Sequence, residues 1–192
     1  MNNRDRLLEI GLELFSSRPY SGTGVREITQ AVGVPTGSFH YYFKNKEDFA
    51  LSVLTYFFQK TFTKKFEEII NSDNLSGKEK IIRIFRTLVR HYLRTPGQEP
   101  VYGCIMGNLG QEISAHTPAI AAKLREHIEG LLKALTRLAE QGKDDGSIMN
   151  TCKSRQMVGF VFDAYEGAMM RRKIYNSDQP LNDFLQSLPA ML

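Results

Sequence analysis

Apolar residues recur at helical spacing almost from the start of the chain. Residues 4–17 carry Leu7, Leu8, Gly11, Leu14 and Phe15 on one side, and Arg18-Pro19 ends the segment because the residue ahead of a proline is driven out of the helical region. Thr23 suits the N-cap of a second, short helix whose buried side is Val25, Ile28, Ala31 and Val32, with Arg26 and Glu27 in its first turns. Gly33-Val34-Pro35 breaks that helix, and residues 36–43 (Thr-Gly-Ser-Phe-His-Tyr-Tyr-Phe) are long enough for a third. Two short helices joined by a glycine-containing turn, with another packed behind them, is the arrangement of a helix-turn-helix.

From Lys46 the pattern predicts one long helix to about Asn71, with Phe49, Val53, Phe57, Phe58, Phe62, Phe66, Ile69 and Ile70 on its apolar side. A loop over Ser72-Asp73-Asn74 and Ser76-Gly77 precedes a stripe of Ile81, Ile82, Phe85, Leu88, Val89, Tyr92 and Leu93, which stops before Thr95-Pro96-Gly97. A short helix over about 104–114 follows. Thr117-Pro118 then opens a helix striped by Ile120, Leu124, Ile128, Leu131, Leu135 and Leu138, closed between Gly142 and Gly146. Residues 154–175 are apolar nearly all round (Met157, Val158, Phe160, Val161, Phe162, Ala164, Tyr165, Ala168, Met169, Met170), which demands cover on more than one side. A helix over about 180–190 ends the chain. No alternating strand pattern or repeat interrupts this series, so the expected fold is all-α with about nine helices. The expected division is a helix-turn-helix domain over residues 1–47 and a helical ligand-binding and dimerisation domain over 48–192.

Composition narrows the class without choosing the function. Of the 192 residues, 42% are hydrophobic and 24% charged, values that suit a packed globular chain rather than a disordered one. No uncharged apolar run reaches the roughly 18 residues of a membrane span, and the N-terminus leads into an amphipathic pattern instead of a signal core, so a cytoplasmic protein with no membrane partner is expected. Cys104 and Cys152 lack metal-ligand spacing and are too few for a disulfide framework. The net charge of +4 permits a polyanionic partner, but in residues 1–50 the arginines and lysines are matched by acids, so placement must carry any case for nucleic acid.

The segment from Thr23 to Phe49, TGVREITQAVGVPTGSFHYYFKNKEDF, resembles the DNA-binding module of the TetR family of bacterial repressors. The matching parts occur in order: the threonine, Ile-x-x-x-x-Gly-Val before the turn, small residues opening the third helix, an aromatic cluster at its end, and Phe-Lys-Asn-Lys-Glu. The resemblance implies a transcriptional regulator that binds double-stranded operator DNA. Residue chemistry agrees with that implication. Thr36, Gly37 and Ser38 are small enough to bring the third helix close to base edges, and His40 lies one turn further along. Tyr41 and Tyr42 can set ring faces and hydroxyls against the sugar-phosphate backbone, and Lys46 can add a charge contact. Thr23 and Arg26 can hold phosphate beside a helix N-terminus. His40 departs from the family's more usual tyrosine; histidine can contact phosphate, more strongly when protonated. Tyr41 and Tyr42 are equally residue types that pack in a small core, whereas Phe39 and Phe43 are core residues.

A second stretch, residues 102–112 (YGCIMGNLGQE), resembles the Gly-Cys…Gly-Asn segment of a TetR subgroup that includes the repressor of N-ethylmaleimide reductase. That likeness implies sensing of electrophiles or oxidants at the matching cysteine, Cys104, while other members respond to small acids such as acrylate. A thiol in a helix's first turn is favoured as thiolate; the alternative is that Cys104 is a small buried hydrophobe. Tyr92, Tyr102, Cys104, Met106, Asn108, Gln111, Phe160 and Tyr165 are the candidates for an inducer pocket. Arg171, Arg172 and Lys173 suit a helix C-terminus and imply no binding role. A homodimer is expected, because the helices at 118–141 and 154–175 could form half of a four-helix bundle and because two recognition helices are needed to read a palindrome.

Two rival classes fare less well. A cysteine-dependent enzyme would need partners for Cys104, yet no phosphate loop, nucleophile elbow or metal cluster is written in the chain, and His40, His91, His116 and His127 have no evident spacing to the thiol. No catalytic residue, metal or cofactor is therefore expected. A protein-binding adaptor with a purely structural aromatic cluster would leave the small residues at 36–38 unexplained.

Overall fold

A computed structural model describes residues 2–61, 64–93 and 103–192. The described residues form helices without strands. No described helix is long and apolar enough to cross a membrane. Among the described residues there are ten helices where about nine were expected: α1 (Asn3–Ser17), α2 (Val25–Val32), α3 (Thr36–Tyr42), α4 (Lys46–Thr61), α5 (Lys64–Ile70), α6 (Gly77–Tyr92), α7 (Ile105–Ile113), α8 (Pro118–Asp144), α9 (Ser154–Tyr175) and α10 (Gln179–Met191). The long helix anticipated from Lys46 to Asn71 is represented by α4 and α5, and Phe62 lies outside the described residues.

The contacts divide the chain into two compact units, one of residues 1–60 with 102–126 and the other of 61–101 with 127–192. Against the boundary expected at 47/48, the first unit also takes in residues 48–60 and a second stretch much further along. Residues of α7 and the start of α8, some sixty positions downstream, pack with the N-terminal helices rather than with the rest of the chain.

In the first unit, the Asn2 side chain accepts from the Asp5 amide at 2.9 Å and caps α1. Leu7, Leu8, Leu14 and Phe15 of α1 are buried together with Ile28 of α2, Phe39 of α3 and Phe43 after it, and Phe49 and Val53 of α4. Phe39, Phe43 and Phe49 meet pairwise at centroid separations of 5.3, 5.2 and 4.9 Å, and Phe15 reaches Phe49 at 5.9 Å. Tilted and edge-to-face rings at such distances add to simple burial. Gly33, at φ 73°, ends α2 in the left-handed region that favours glycine, and the amides of Gly33 and Val34 donate to the Gln30 and Thr29 carbonyls. That geometry makes the tight turn into α3.

In the second unit, Ser76 and Glu79 close a capping box at the start of α6. The Gly77 amide donates to Asp145 at 2.8 Å, and a side chain on Gly77 would overlap the Gly142 backbone of α8. Phe85 of α6, Tyr165 of α9 and Phe184 of α10 form an aromatic triangle with centroids 5.4–5.8 Å apart. Arg172 of α9 is only 1% exposed; its Nε donates to Asp178 at 2.6 Å and its Nη2 to the Tyr92 carbonyl. The arginine expected to be an ordinary helix-end cation is thus a buried tie between the ends of α6 and α9.

The expectation for α9 as a helix needing cover on several sides is met on one side by the chain itself. Met157, Val158, Val161, Phe162, Tyr165, Ala168 and Met169 are buried, whereas Phe160 and Ile174 remain 66% and 67% exposed and Met170 is also exposed. Spacing of 160, 163, 167, 170 and 174 places that open band along one helix face.

Candidate nucleic-acid interface

α3 is short, and its register decides what faces outward. Phe39 is wholly buried and Phe43, its C-cap, nearly so, which pins the helix to the aromatic core. Thr36, Gly37, His40 and Tyr41 then lie on the opposite side and are exposed, Tyr41 to 82%. Ser38 and Tyr42 are half-buried, and Tyr41 and Tyr42 meet edge-to-face at 4.9 Å. A Cβ built on Gly37 meets nothing within 4 Å, so the protein itself imposes no demand for glycine there. Arg26, in the first turn of α2, is exposed as well. Seven of the nine candidate DNA residues (Arg26, Thr36, Gly37, Ser38, His40, Tyr41 and Tyr42) therefore sit at accessible or partly accessible positions on two consecutive helices.

Thr23 and Lys46 are placed differently from expectation. Thr23 is 0% exposed; its hydroxyl donates to the Pro19 carbonyl at 3.0 Å and its amide to the Tyr20 carbonyl at 3.1 Å, so it builds the loop between α1 and α2 and offers nothing to a phosphate. It is not the N-cap of α2 either; Gly24 holds that position without a side-chain cap. The Lys46 ammonium donates to the carbonyls of Tyr20 and Thr23 at 3.0 and 3.2 Å and stands 4.1 Å from the Tyr20 ring centroid. Burial pulls its pKa below the ordinary lysine value, opposed by the Glu112 carboxylate. Two of its three donors are committed to the loop.

The same loop receives partners that the sequence pattern does not announce. The amides of Tyr20 and Ser21 donate to the two carboxylate oxygens of Glu112 on α7 at 2.6 and 2.8 Å. Burial alone would push the Glu112 carboxyl up, yet the Ser21 and Tyr20 hydrogen bonds and the Lys46 charge together hold it below its ordinary value. One turn earlier, the Asn108 amide donates to the carbonyls of Phe15 and Ser16 at 3.0 and 2.9 Å, and the Gly103 amide donates to Ser16 at 2.8 Å. These carbonyls belong to the end of α1, where helical partners run out. Arg6 similarly donates to the Val32 carbonyl at 2.7 Å at the end of α2, and Arg18 pairs with Glu27. The only sequence signal for these roles is polarity on the otherwise apolar α7.

The candidate inducer residues divide between the two units. Cys104, 4% exposed, is the N-cap of α7, and Met106 is buried beside it in sequence. Asn108 is committed to α1 as described, and Gln111 is exposed, so neither stands as a lining residue of an enclosed cavity. In the second unit Tyr165 is a core residue of the aromatic triangle, Tyr92 is half-buried, and Phe160 belongs to the open band of α9. Tyr102 lies outside the described residues. Among the described residues no group of acids, histidines and cysteines has the makings of a metal site.

Comparison with known proteins gives this arrangement its context. Residues 7–53 match the model for bacterial regulatory proteins of the tetR family, and residues 77–188 match the tetracyclin repressor-like C-terminal domain. The HTH-type transcriptional repressor DhaR of Mycobacterium sp. (strain GP1) is 30% identical over 95% of this chain and 88% of its own. The HTH-type transcriptional repressor NemR of Escherichia coli (strain K12) is 22% identical over 96% of this chain and 90% of its own. The crystal structure of the regulatory protein TetR from Rhodobacter sphaeroides superposes with a TM-score of 0.83 at 26% identity, covering 97% of each chain. With residues 7–53 and 77–188 both matched in order, the chain belongs to the TetR family of transcriptional regulators.

Proposed function

We propose that this protein is a homodimeric repressor that reads a palindromic operator with α3 and leaves it on binding or reacting with a small-molecule inducer, acting in the cytoplasm. The observation that carries the DNA-reading part is the outward band of α3, where Thr36, Gly37 and His40 are small or hydrogen-bonding and nothing within the protein explains the glycine. In this reading Thr36, Gly37, Ser38 and His40 meet base edges, while Tyr41, Tyr42, Arg26 and the uncapped start of α2 meet phosphates. Lys46 has one donor left for a phosphate and serves first to hold the loop.

Phe160, Met170 and Ile174, exposed along one face of α9 with Asp163 and Gly167 between the first two, support self-association through α9, since large apolar side chains on one helix face are what a two-fold partner covers. A dimer sets two copies of α3 about 34–36 Å apart, one turn of duplex. The resemblance of residues 102–112 to a Gly-Cys…Gly-Asn segment supports an electrophile as one class of inducer, with Cys104 at the head of α7 as the reacting thiol.

A gel shift against the chain's own upstream region, with and without N-ethylmaleimide, tests each part. Operator binding lost in Thr36→Tyr supports the reader; binding insensitive to that change defeats it. Release on treatment that persists in Cys104→Ala removes the thiol from the mechanism while leaving the repressor in place.

A further inference from the structure

We infer that α7 is a positioning element of the DNA reader, with Asn108 and Glu112 holding the end of α1 and the loop into α2 in the conformation that presents α2 and α3 to DNA. The inference rests on the DNA-reading function proposed above.

Every interaction it needs lies within one compact unit. The loop of residues 18–24 leads from α1 into α2; its ends are tied by Arg18 to Leu14 and by Ile28 to Gly24, and the hydrogen bonds between its own residues are those of Thr23 to Pro19 and Tyr20. Its two successive amides at Tyr20 and Ser21 point to one carboxylate, and its carbonyls at Tyr20 and Thr23 point to one ammonium. Glu112 and Lys46 thus grip opposite polar edges of the same short segment. Such charge-assisted bonds are stronger than neutral ones, and leaving one side unmet exposes the other to a desolvation penalty. Asn108, four residues before Glu112 and therefore on the same face of α7, fixes the last carbonyls of α1. A helix that only filled the core would not need two polar side chains on one face directed at backbone groups of another element.

The sign of the effect separates positioning from bystander electrostatics. Glu112 is an acid on a unit that must approach phosphates, so removing its charge should strengthen DNA binding if charge were its only influence. Positioning requires the reverse. In Glu112→Gln one acceptor becomes a donor facing backbone amides, and the loop loses its fixed form.

The test measures full-length wild type, Glu112→Gln and Asn108→Ala by fluorescence anisotropy on operator DNA and by amide hydrogen exchange. Both variants are expected to bind about tenfold more weakly, Glu112→Gln through the loss of one charge-assisted hydrogen bond and Asn108→Ala through the loss of two neutral ones, with an unchanged salt slope and faster exchange at Tyr20 and Ser21 in Glu112→Gln. Amides of α9 and α10 are expected to exchange as in wild type. Equal or tighter binding by Glu112→Gln, or exchange quickened throughout the chain, overturns the inference. If Glu112→Gln does not fold, Asn108→Ala decides by the same two readouts. Wild type that binds no operator defeats the underlying function instead, so the wild-type titration tells the two failures apart.

Discussion

Gly77, the first residue of α6, lies against Gly142 of α8 so closely that a methyl group on Gly77 would come within 2.6 Å of the Gly142 Cα and overlap its nitrogen and the Leu138 carbonyl. Backbone atoms cannot swing aside as a flexible side chain can. Gly77→Ala is therefore expected to destabilise the protein by about 1–3 kcal/mol, read as a lower midpoint in urea unfolding. An unchanged midpoint would mean that the two helices can part at no cost.

Arg172 gives a second measure of the same unit. Removing its side chain leaves Asp178 and the Tyr92 carbonyl without the guanidinium, and because Asp178 is partly exposed the cost falls below the roughly 3–5 kcal/mol of breaking a fully buried pair. Arg172→Ala should unfold well below wild type in thermal melts, and Arg172→Lys should recover only part of the difference because lysine lacks the planar fork.

Gly37→Ala should separate folding from function. The site has room for the methyl group, and replacing a helical glycine commonly stabilises by about 0.5–1 kcal/mol. The melting temperature should hold or rise while operator affinity falls. Retained affinity would remove Gly37 from the set of base-proximal residues.

Arg26→Ala should weaken operator binding uniformly across sequences and reduce the salt slope by about 0.9 for each phosphate that is no longer neutralised. An unchanged slope would return Arg26 to the status of a solvated charge. Ile174→Glu, on the open band of α9, should shift a dimer toward monomer in light scattering without lowering helical content.

Acid stability should depend on Glu112. Its carboxyl is held below the ordinary value of 4.5, so its contribution is present above that pH and is lost as pH falls through the lowered folded value. Glu112→Gln should flatten the decline in stability below pH 4.5, monitored by circular dichroism.

Much of the fold is legible in the sequence because amphipathic periodicity is a local property. The segments at 4–17 and 154–175 fall within a residue of α1 and α9, and the glycine at 33 marks the turn ahead of α3. Less legible is anything decided by a partner far along the chain. Lys46 has the chemistry of a phosphate ligand, yet it is drawn into the loop by carbonyls more than twenty residues earlier, and Thr23, which has the chemistry of a cap, instead closes the loop onto Pro19 and Tyr20. Glu112 reaches a loop more than ninety residues earlier in sequence, and Arg172 reaches back eighty residues to Tyr92. A stripe of apolar positions says which face of a helix is covered; it does not say by what. Phe160 illustrates the complementary error, since an aromatic on an apolar helix reads as part of an interior pocket and stands on the surface.

The packing of α7 onto α1 also bears on protein engineering. A chimera made by grafting the first fifty or so residues onto another regulator would leave behind Asn108 and Glu112, and the Tyr20 and Ser21 amides would then have to find water. The compact unit that such a graft would have to carry is discontinuous, residues 1–60 together with 102–126, so its specification is written in two places along the gene.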